Sequence, residues 1–149
     1  MYIDLMPLKA LLDENEYKVT ILSNASAYLY NSLNDINWLG FYILDNDYLY
    51  LGPFQGKPAC IKIAVGKGVC GNTIKENKTL VVPNVLEYKG HIACDSNSRS
   101  EVCIPIYINN EIYGLLDIDS PIFNRFDDEL VDELKEAVKI IETALLNAK

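Results

Sequence analysis

Hydrophobic residues at helical spacing mark both ends of the chain. Near the N terminus the apolar positions are Leu8, Leu11, Leu12, Tyr17, Ile21, Leu22, Ala25 and Leu29. Spacings of three and four residues are typical of amphipathic helices, so we predict two helical segments within residues 5–34. The same spacing recurs at Leu130, Leu134, Val138, Ile141 and Leu145. It predicts a long helix over residues 127–147, so helices should open and close the chain.

Two β-hairpins are predicted between these helices, within residues 37–120. Aromatic and β-branched residues fill Trp38 to Leu44, and a short polar turn separates them from Tyr48 to Leu51. The second hairpin pairs Ser100 to Ile108 with Glu111 to Asp119 around an Asn-Asn turn. The central part of the chain should therefore form a mainly antiparallel sheet.

The segment between the hairpins is predicted to hold two more strands and a short helix. Residues 59–65 alternate, which places Ile61, Ile63 and Val65 on one face of a half-buried strand and Cys60 on the other. A glycine turn at residues 66–68 leads to a helix over 72–76 and a strand over 79–82. That turn lacks the third glycine of a dinucleotide fingerprint, so we interpret it as turn geometry and not as a phosphate site.

Residues 83–99 have no sustained periodicity, and a loop of this length in a small domain is typical of a functional segment. The order of elements predicts the α+β class, with a mainly antiparallel central sheet flanked by helices. No internal repeat or linker divides the sequence, so we expect a single domain over residues 1–149.

Charge and hydropathy disfavour nucleic acid and membrane as partners. The 149 residues carry a formal charge of -8, and the 13 basic residues are scattered along the chain. No apolar run approaches the roughly 20 residues that span a bilayer, and the first residues lack the pattern of a signal peptide. We expect a cytoplasmic protein.

The cysteines are Cys60, Cys70, Cys94 and Cys103, and cytosolic thiols are normally kept reduced. Zinc is disfavoured by spacing, because no Cys-x-x-Cys pair exists and the single histidine, His91, stands three residues before Cys94. An ordinary thiol is only about 3% thiolate at pH 7, so a nucleophile in this loop needs help from His91 or from backbone amides. Inert buried thiols are the alternative.

Carboxylates on the second hairpin offer a complementary chemistry. Asp117 and Asp119 share one face of their strand, and Glu101 begins the neighbouring strand, so the three could converge at one end of the hairpin. They either form a solvated face or, if enclosed, bind an ammonium group with at least one raised pKa. Trp38 and Tyr42 share a side of the first strand, where they either pack in the core or line a pocket.

Together these segments resemble the free methionine-(R)-sulfoxide reductases, which are built on a GAF domain. The similarity covers about residues 38–128 and rests on five ordered motifs. They are Gln55-Gly56-Lys57-Pro58-Ala59-Cys60, Gly66-Lys67-Gly68-Val69-Cys70-Gly71, Gly90-His91-Ile92-Ala93-Cys94-Asp95, Ser98-Arg99-Ser100-Glu101 and Leu116-Asp117-Ile118-Asp119-Ser120-Pro121.

The resemblance implies that Cys94 attacks the substrate, that Cys60 is the main resolving thiol, and that Cys70 is a second exchanging thiol. It assigns substrate binding to Trp38, Tyr42, Glu101, Asp117 and Asp119. It further implies that thioredoxin is the reductant and suggests a homodimer, and we expect no bound cofactor or metal. Which carboxylate donates the proton, and whether Cys60 or Cys70 resolves first, stay open.

Two positions depart from the family pattern. Cys103 stands where an aliphatic residue is expected, which adds a further thiol. Residues 84–89 replace a commoner aspartate and phenylalanine-proline pair in the entrance loop. Two other functions also remain: a GAF module that binds a small ligand without catalysis, and a redox-sensing thiol protein without a substrate, which would leave the carboxylates unexplained.

Overall fold

The computed structural model describes residues 1–92 and 94–149, so Ala93 of the predicted loop lies outside the described residues. The helices are α1 (Leu5–Leu12), α2 (Lys18–Ser32), α3 (Gly68–Glu76) and α4 (Asp128–Leu145). The strands are β1 (Trp38–Asp45), β2 (Tyr48–Gly56), β3 (Lys62–Ala64), β4 (Leu80–Val82), β5 (Ser100–Ile108) and β6 (Glu111–Ser120). A short 3₁₀ helix, Val85–Glu87, lies in the loop before β5.

The strands form one antiparallel sheet in the order β3-β2-β1-β6-β5-β4. Because side chains alternate along a strand, each face of this sheet covers a separate core. Helices α1, α2 and α4 cover the face that carries Leu39, Phe41 and Ile118. The opposite face carries Trp38 and Tyr42 and packs against α3. The α+β class and the single domain are confirmed. The face under α1, α2 and α4 forms the main core, and the opposite face holds the site described below.

Helix α4 begins at a polar cap and buries one apolar stripe. The side chain of Asp127 accepts a hydrogen bond from the Leu130 amide at 2.9 Å, a cap that typically stabilises a helix by about 1 kcal/mol. Leu134 and Ile141 are fully buried. In the part of the chain that the structure describes, no helix is long and apolar enough to cross a membrane.

The prediction of a strand over residues 59–65 was wrong. Strand β3 spans only Lys62–Ala64, and Ile61, predicted on the buried face, is 77% exposed. Pairing with β2 ends with a 3.1 Å hydrogen bond from the Leu51 amide to the Ile61 carbonyl, and the preceding residue, Cys60, is bonded to Cys94. Cys60 therefore lies in an irregular segment and not on a strand face.

Two other elements are longer than predicted. Helix α3 starts at Gly68, four residues early, because Gly68 adopts a φ of +62° that turns the chain directly into the helix. Strand β2 continues past Pro53 to Gly56. A bulge opposite Phe41 accommodates this proline, since the pairing shifts register between Gly40 and Tyr42.

Candidate active site

A pocket opens on the α3 side of the sheet. It encloses about 520 Å³, part of it continuous with solvent, which is within the range of small-molecule sites. Strands β1, β5 and β6 form its floor, α3 forms one wall, and the loop that contains Cys94 forms another. The predicted residues that line it are Trp38, Tyr42, Cys70, Cys94, Glu101, Asp117 and Asp119.

Cys60 and Cys94 form a disulfide at this pocket, with their Cα atoms 5.7 Å apart. The two residues are 34 positions apart in sequence, so the fold and not a local motif brings them together. Tyr42 supports the arrangement, because its hydroxyl donates a 2.8 Å hydrogen bond to the Cys60 carbonyl. Cys70 and Cys103 are free and buried. The structure thus represents the oxidised state of the Cys60–Cys94 pair.

Asn37 fixes the Cys94 loop to the start of β1, a role that sequence reasoning missed. Its side-chain amide donates to Asp95 Oδ2 at 3.0 Å and to Ser98 Oγ at 3.2 Å. Asp95 also accepts from the Asn97 amide at 2.9 Å, which closes a tight turn just after Cys94. Amide hydrogen bonding lowers the pKa of Asp95, so this carboxylate stays ionised.

The three carboxylates converge, as the alternation of the hairpin predicts. Glu101 pairs directly with Asp119 across β5 and β6, and Asp117 lies two residues along the same face. Glu101 is 5% exposed and Asp117 is 6% exposed. Because they are buried, and because their charges repel, the pKa of Glu101 and of Asp119 is held well above its usual range.

Asp117 has opposing influences on its pKa. Burial raises its pKa too, but hydrogen bonds from Glu101, Cys103 and Cys70 oppose that effect. Because all three pKa values are raised, the cluster can hold a proton near neutral pH. Such a cluster can bind a cation and supply a proton in the same pocket.

His91 faces the carboxylates. Its Nε2 lies 3.8 Å from Glu101 Oε1, and burial lowers its pKa, so the imidazole tends toward the neutral form. Sequence reasoning considered His91 as an activator of Cys94. The structure places it against Glu101 instead, where it can accept or relay a proton.

Trp38 and Tyr42 are buried and also line the pocket. The sequence left core packing and pocket lining as alternatives, and both residues do both. Their rings stack with centroids 5.9 Å apart, and Phe54 stacks on the other side of Trp38 at 5.3 Å. The Trp38 indole also donates to the Lys57 carbonyl at 3.1 Å. These contacts hold an aromatic wall beside the disulfide, suited to a thioether or sulfoxide side chain.

Two thiols lie behind the carboxylates. The Sγ atoms of Cys70 and Cys103 are 3.6 Å apart, and Cys103 Sγ lies 3.3 Å from Asp117 Oδ1. The hydrogen bond from Cys103 lowers the pKa of Cys70, but burial and the nearby carboxylates outweigh it and raise the pKa to about 12. Burial likewise raises the pKa of Cys103. Neither thiol is a ready nucleophile in this state.

Comparison with known proteins relates the chain to one group of enzymes. Residues 17–145 match the GAF domain family. The free methionine-R-sulfoxide reductase of Escherichia coli is 50% identical over 124 residues, which cover 83% of this chain and 75% of that protein. A Staphylococcus aureus structure described as fRMsr in its reduced form is 48% identical, covers 96% of both chains and superposes with a TM-score of 0.90. A second structure of that protein, in complex with substrate, gives a TM-score of 0.88 at the same identity and coverage.

Proposed function

Because the chain belongs to the free methionine-R-sulfoxide reductase family of GAF domains, we propose that it reduces free L-methionine-(R)-sulfoxide to L-methionine by a thiol–disulfide cycle. One observation carries this proposal. The Cys60–Cys94 disulfide lies at the pocket that also contains the carboxylates Glu101, Asp117 and Asp119, the first two of them buried. An oxidisable thiol pair and a cation-binding cluster meet at one site.

The first step is attack by Cys94 on the sulfoxide. We assign proton donation to Glu101, whose pKa is held well above its usual range by burial, so that it protonates the sulfoxide oxygen and makes the sulfur electrophilic. The Cys94 thiolate supplies two electrons, methionine leaves as the thioether, and the oxygen ends on Cys94 as a sulfenic acid. The sulfur of Cys94 is oxidised by as much as the substrate sulfur is reduced.

The second step forms the disulfide. The Cys60 thiol attacks the Cys94 sulfenic sulfur, an S–S bond forms, and the oxygen leaves as water. This order is supported by the Cys60–Cys94 disulfide itself, which is the product that the step predicts. Cys70 also lines the pocket but is buried against Cys103, so it acts as the later, exchanging thiol.

Thioredoxin is the proposed reductant, and the cytoplasm is the proposed compartment, because thioredoxin operates there. A thioredoxin thiolate attacks the Cys60–Cys94 disulfide, and its second thiol releases both cysteines. The family resemblance also implies a homodimer, which analytical ultracentrifugation measures directly.

Preference for the free amino acid follows from the charge of the pocket. Asp117 and Asp119 bind the substrate ammonium group, and each charge-assisted hydrogen bond contributes about 1.5 to 3 kcal/mol. A methionine sulfoxide within a peptide has no free ammonium group and would leave buried carboxylates without a cation. It would also bring chain on both sides into a pocket walled by Trp38 and the Cys94 loop.

A coupled assay tests the function. NADPH oxidation is followed with thioredoxin and its reductase, with free L-methionine-(R)-sulfoxide, the S epimer or a peptide-bound sulfoxide as substrate. We expect turnover with the free R epimer only. An absence of turnover with that epimer would exclude the reductase function and favour a ligand-binding or redox-sensing GAF module.

A further inference from the structure

At the inner wall of the substrate pocket, four side chains place their donor atoms together. They are Cys70 from α3, Glu101 and Cys103 from β5, and Asp117 from β6. One donor atom from each lies within 4.8 Å of every other, and all four side chains are buried. Cys103 is not among the described residues that line the pocket, so it takes no direct part in the proposed reaction.

Four of the six donor–donor distances lie close to the edges of a zinc tetrahedron, and the other two are within 4.8 Å. With Zn–S bonds of about 2.3 Å and Zn–O bonds of about 2.1 Å, tetrahedral angles give about 3.8 Å between two sulfurs and about 3.6 Å between sulfur and oxygen. Here the two sulfurs are 3.6 Å apart. The three measured sulfur–oxygen distances are 3.3, 3.6 and 3.9 Å.

The electrostatics of the cluster also call for a cation. In the part of the chain that the structure describes, no lysine or arginine lies within ion-pair distance of Glu101 or Asp117, and the single ion-pair contact is with His91. When no substrate ammonium group occupies the pocket, these buried carboxylates lack a cation, and a metal ion can then neutralise them. Two sulfur donors select a soft divalent ion over magnesium or calcium.

We propose that Cys70, Cys103, Glu101 and Asp117 bind one Zn²⁺ ion per chain. All four coordination positions are supplied by the protein, so the site resembles a closed zinc centre and leaves no position for water. The sequence pattern did not predict this site, because its ligands come from a helix and two strands and not from a Cys-x-x-Cys motif.

Zinc titration of a double variant tests the proposal. Cys60→Ser with Cys94→Ser removes the other two thiols, so Cys70 and Cys103 are the thiols left to bind metal under a non-thiol reductant. We expect one Zn²⁺ per chain by calorimetry, unaffected by excess Mg²⁺. Co²⁺ in place of zinc should give the intense visible bands of a tetrahedral site and a thiolate-to-metal charge-transfer band.

The matched control adds Cys103→Val to the double variant. Valine is close in size to the fully buried cysteine and is aliphatic, as the family pattern expects. Since even an outer-shell change typically lowers metal affinity 10- to 100-fold, loss of a direct ligand should weaken zinc binding by about 100-fold or more. Circular dichroism spectra of the two metal-free proteins are compared to check that both keep the same fold. Binding that is absent from the double variant, or equal in both proteins, would overturn the proposal and leave only a buried thiol pair.

A consequence for activity rests on the proposed function. Zinc would occupy Glu101 and Asp117, so it should inhibit the reductase competitively with methionine sulfoxide. In Cys103→Val alone, added zinc should no longer inhibit turnover, measured as a fraction of that variant's own zinc-free rate. If zinc binds by calorimetry and does not inhibit, the metal site stands and the assignment of Glu101 and Asp117 to the substrate is wrong. If the chain shows no reductase activity, the binding experiment still decides the metal site.

Discussion

Replacement of Asp117 by asparagine tests how the pocket recognises a free amino acid. The introduced amide would keep the shape of the side chain and one oxygen acceptor but lose the negative charge. A charge-assisted hydrogen bond contributes about 1.5 to 3 kcal/mol, and each 1.4 kcal/mol is tenfold, so kcat/KM should fall by about 10- to 150-fold. If the ammonium group is held equally in the ground and transition states, most of this loss appears in KM.

The assay is NADPH-coupled turnover of free methionine-(R)-sulfoxide in the presence of a chelator. Asp132→Asn is the matched control. Asp132 lies on the exposed side of α4, so the same substitution there should leave kcat/KM unchanged. A second substrate sharpens the test. N-acetyl-methionine sulfoxide lacks the ammonium group, so on this substrate the Asp117→Asn variant and the wild type should have similar kcat/KM values.

Two results would contradict this reasoning. A kcat/KM for Asp117→Asn within about twofold of the wild type would mean that Asp117 does not hold the ammonium group. An equal loss on the free and the acetylated substrate would mean that the charge acts on another part of the reaction. In either case the preference for the free amino acid would need a steric explanation.

Three other substitutions probe the proton donor, the aromatic wall and the loop. Glu101→Gln should lower kcat by about 10²- to 10⁴-fold with a smaller change in KM, and a pure KM effect would exclude it as proton donor. Gly40→Ala places a Cβ against Phe54 Cβ and 2.6 Å from Trp38 Cη2, so the aromatic wall must shift, kcat/KM should fall and near-ultraviolet circular dichroism should change; unchanged spectra would refute these contacts. Asn37→Leu removes the hydrogen bond to Asp95, so faster amide hydrogen exchange is expected in residues 94–98, whereas unchanged exchange would show that the bond does not fix the loop.

Local chemistry explains why one part of the fold could be predicted well. Strands β5 and β6 begin where the alternation indicates, because Asn109 and Asn110 both adopt positive φ, +52° and +66°, as a tight hairpin turn requires. Once the register of this hairpin is set, period two places Glu101 beside Asp119. The convergence of the carboxylates was therefore predictable from the sequence.

Features that depend on long-range packing were not predictable in the same way. Alternation over residues 61–65 cannot distinguish a long strand from the three-residue edge strand β3. The approach of Cys70 to Cys103 depends on how α3 lies on the sheet, and no sequence spacing reports that distance. Asn37 looked like an ordinary residue before a strand, although it holds the loop after Cys94. Enclosure of the carboxylates likewise follows from α3 and this loop, not from the hairpin itself.

A single-turnover experiment tests the central claim, that Cys94 attacks the sulfoxide and Cys60 resolves it. The fully reduced protein is mixed with excess free methionine-(R)-sulfoxide without reductant, and methionine and protein mass are measured after quenching. The wild type should release one methionine per chain and lose two hydrogens to the Cys60–Cys94 disulfide. Cys60→Ser should also release one methionine and leave a sulfenic acid on Cys94 that dimedone traps. Cys94→Ser should release none, and methionine release from that variant would contradict the account.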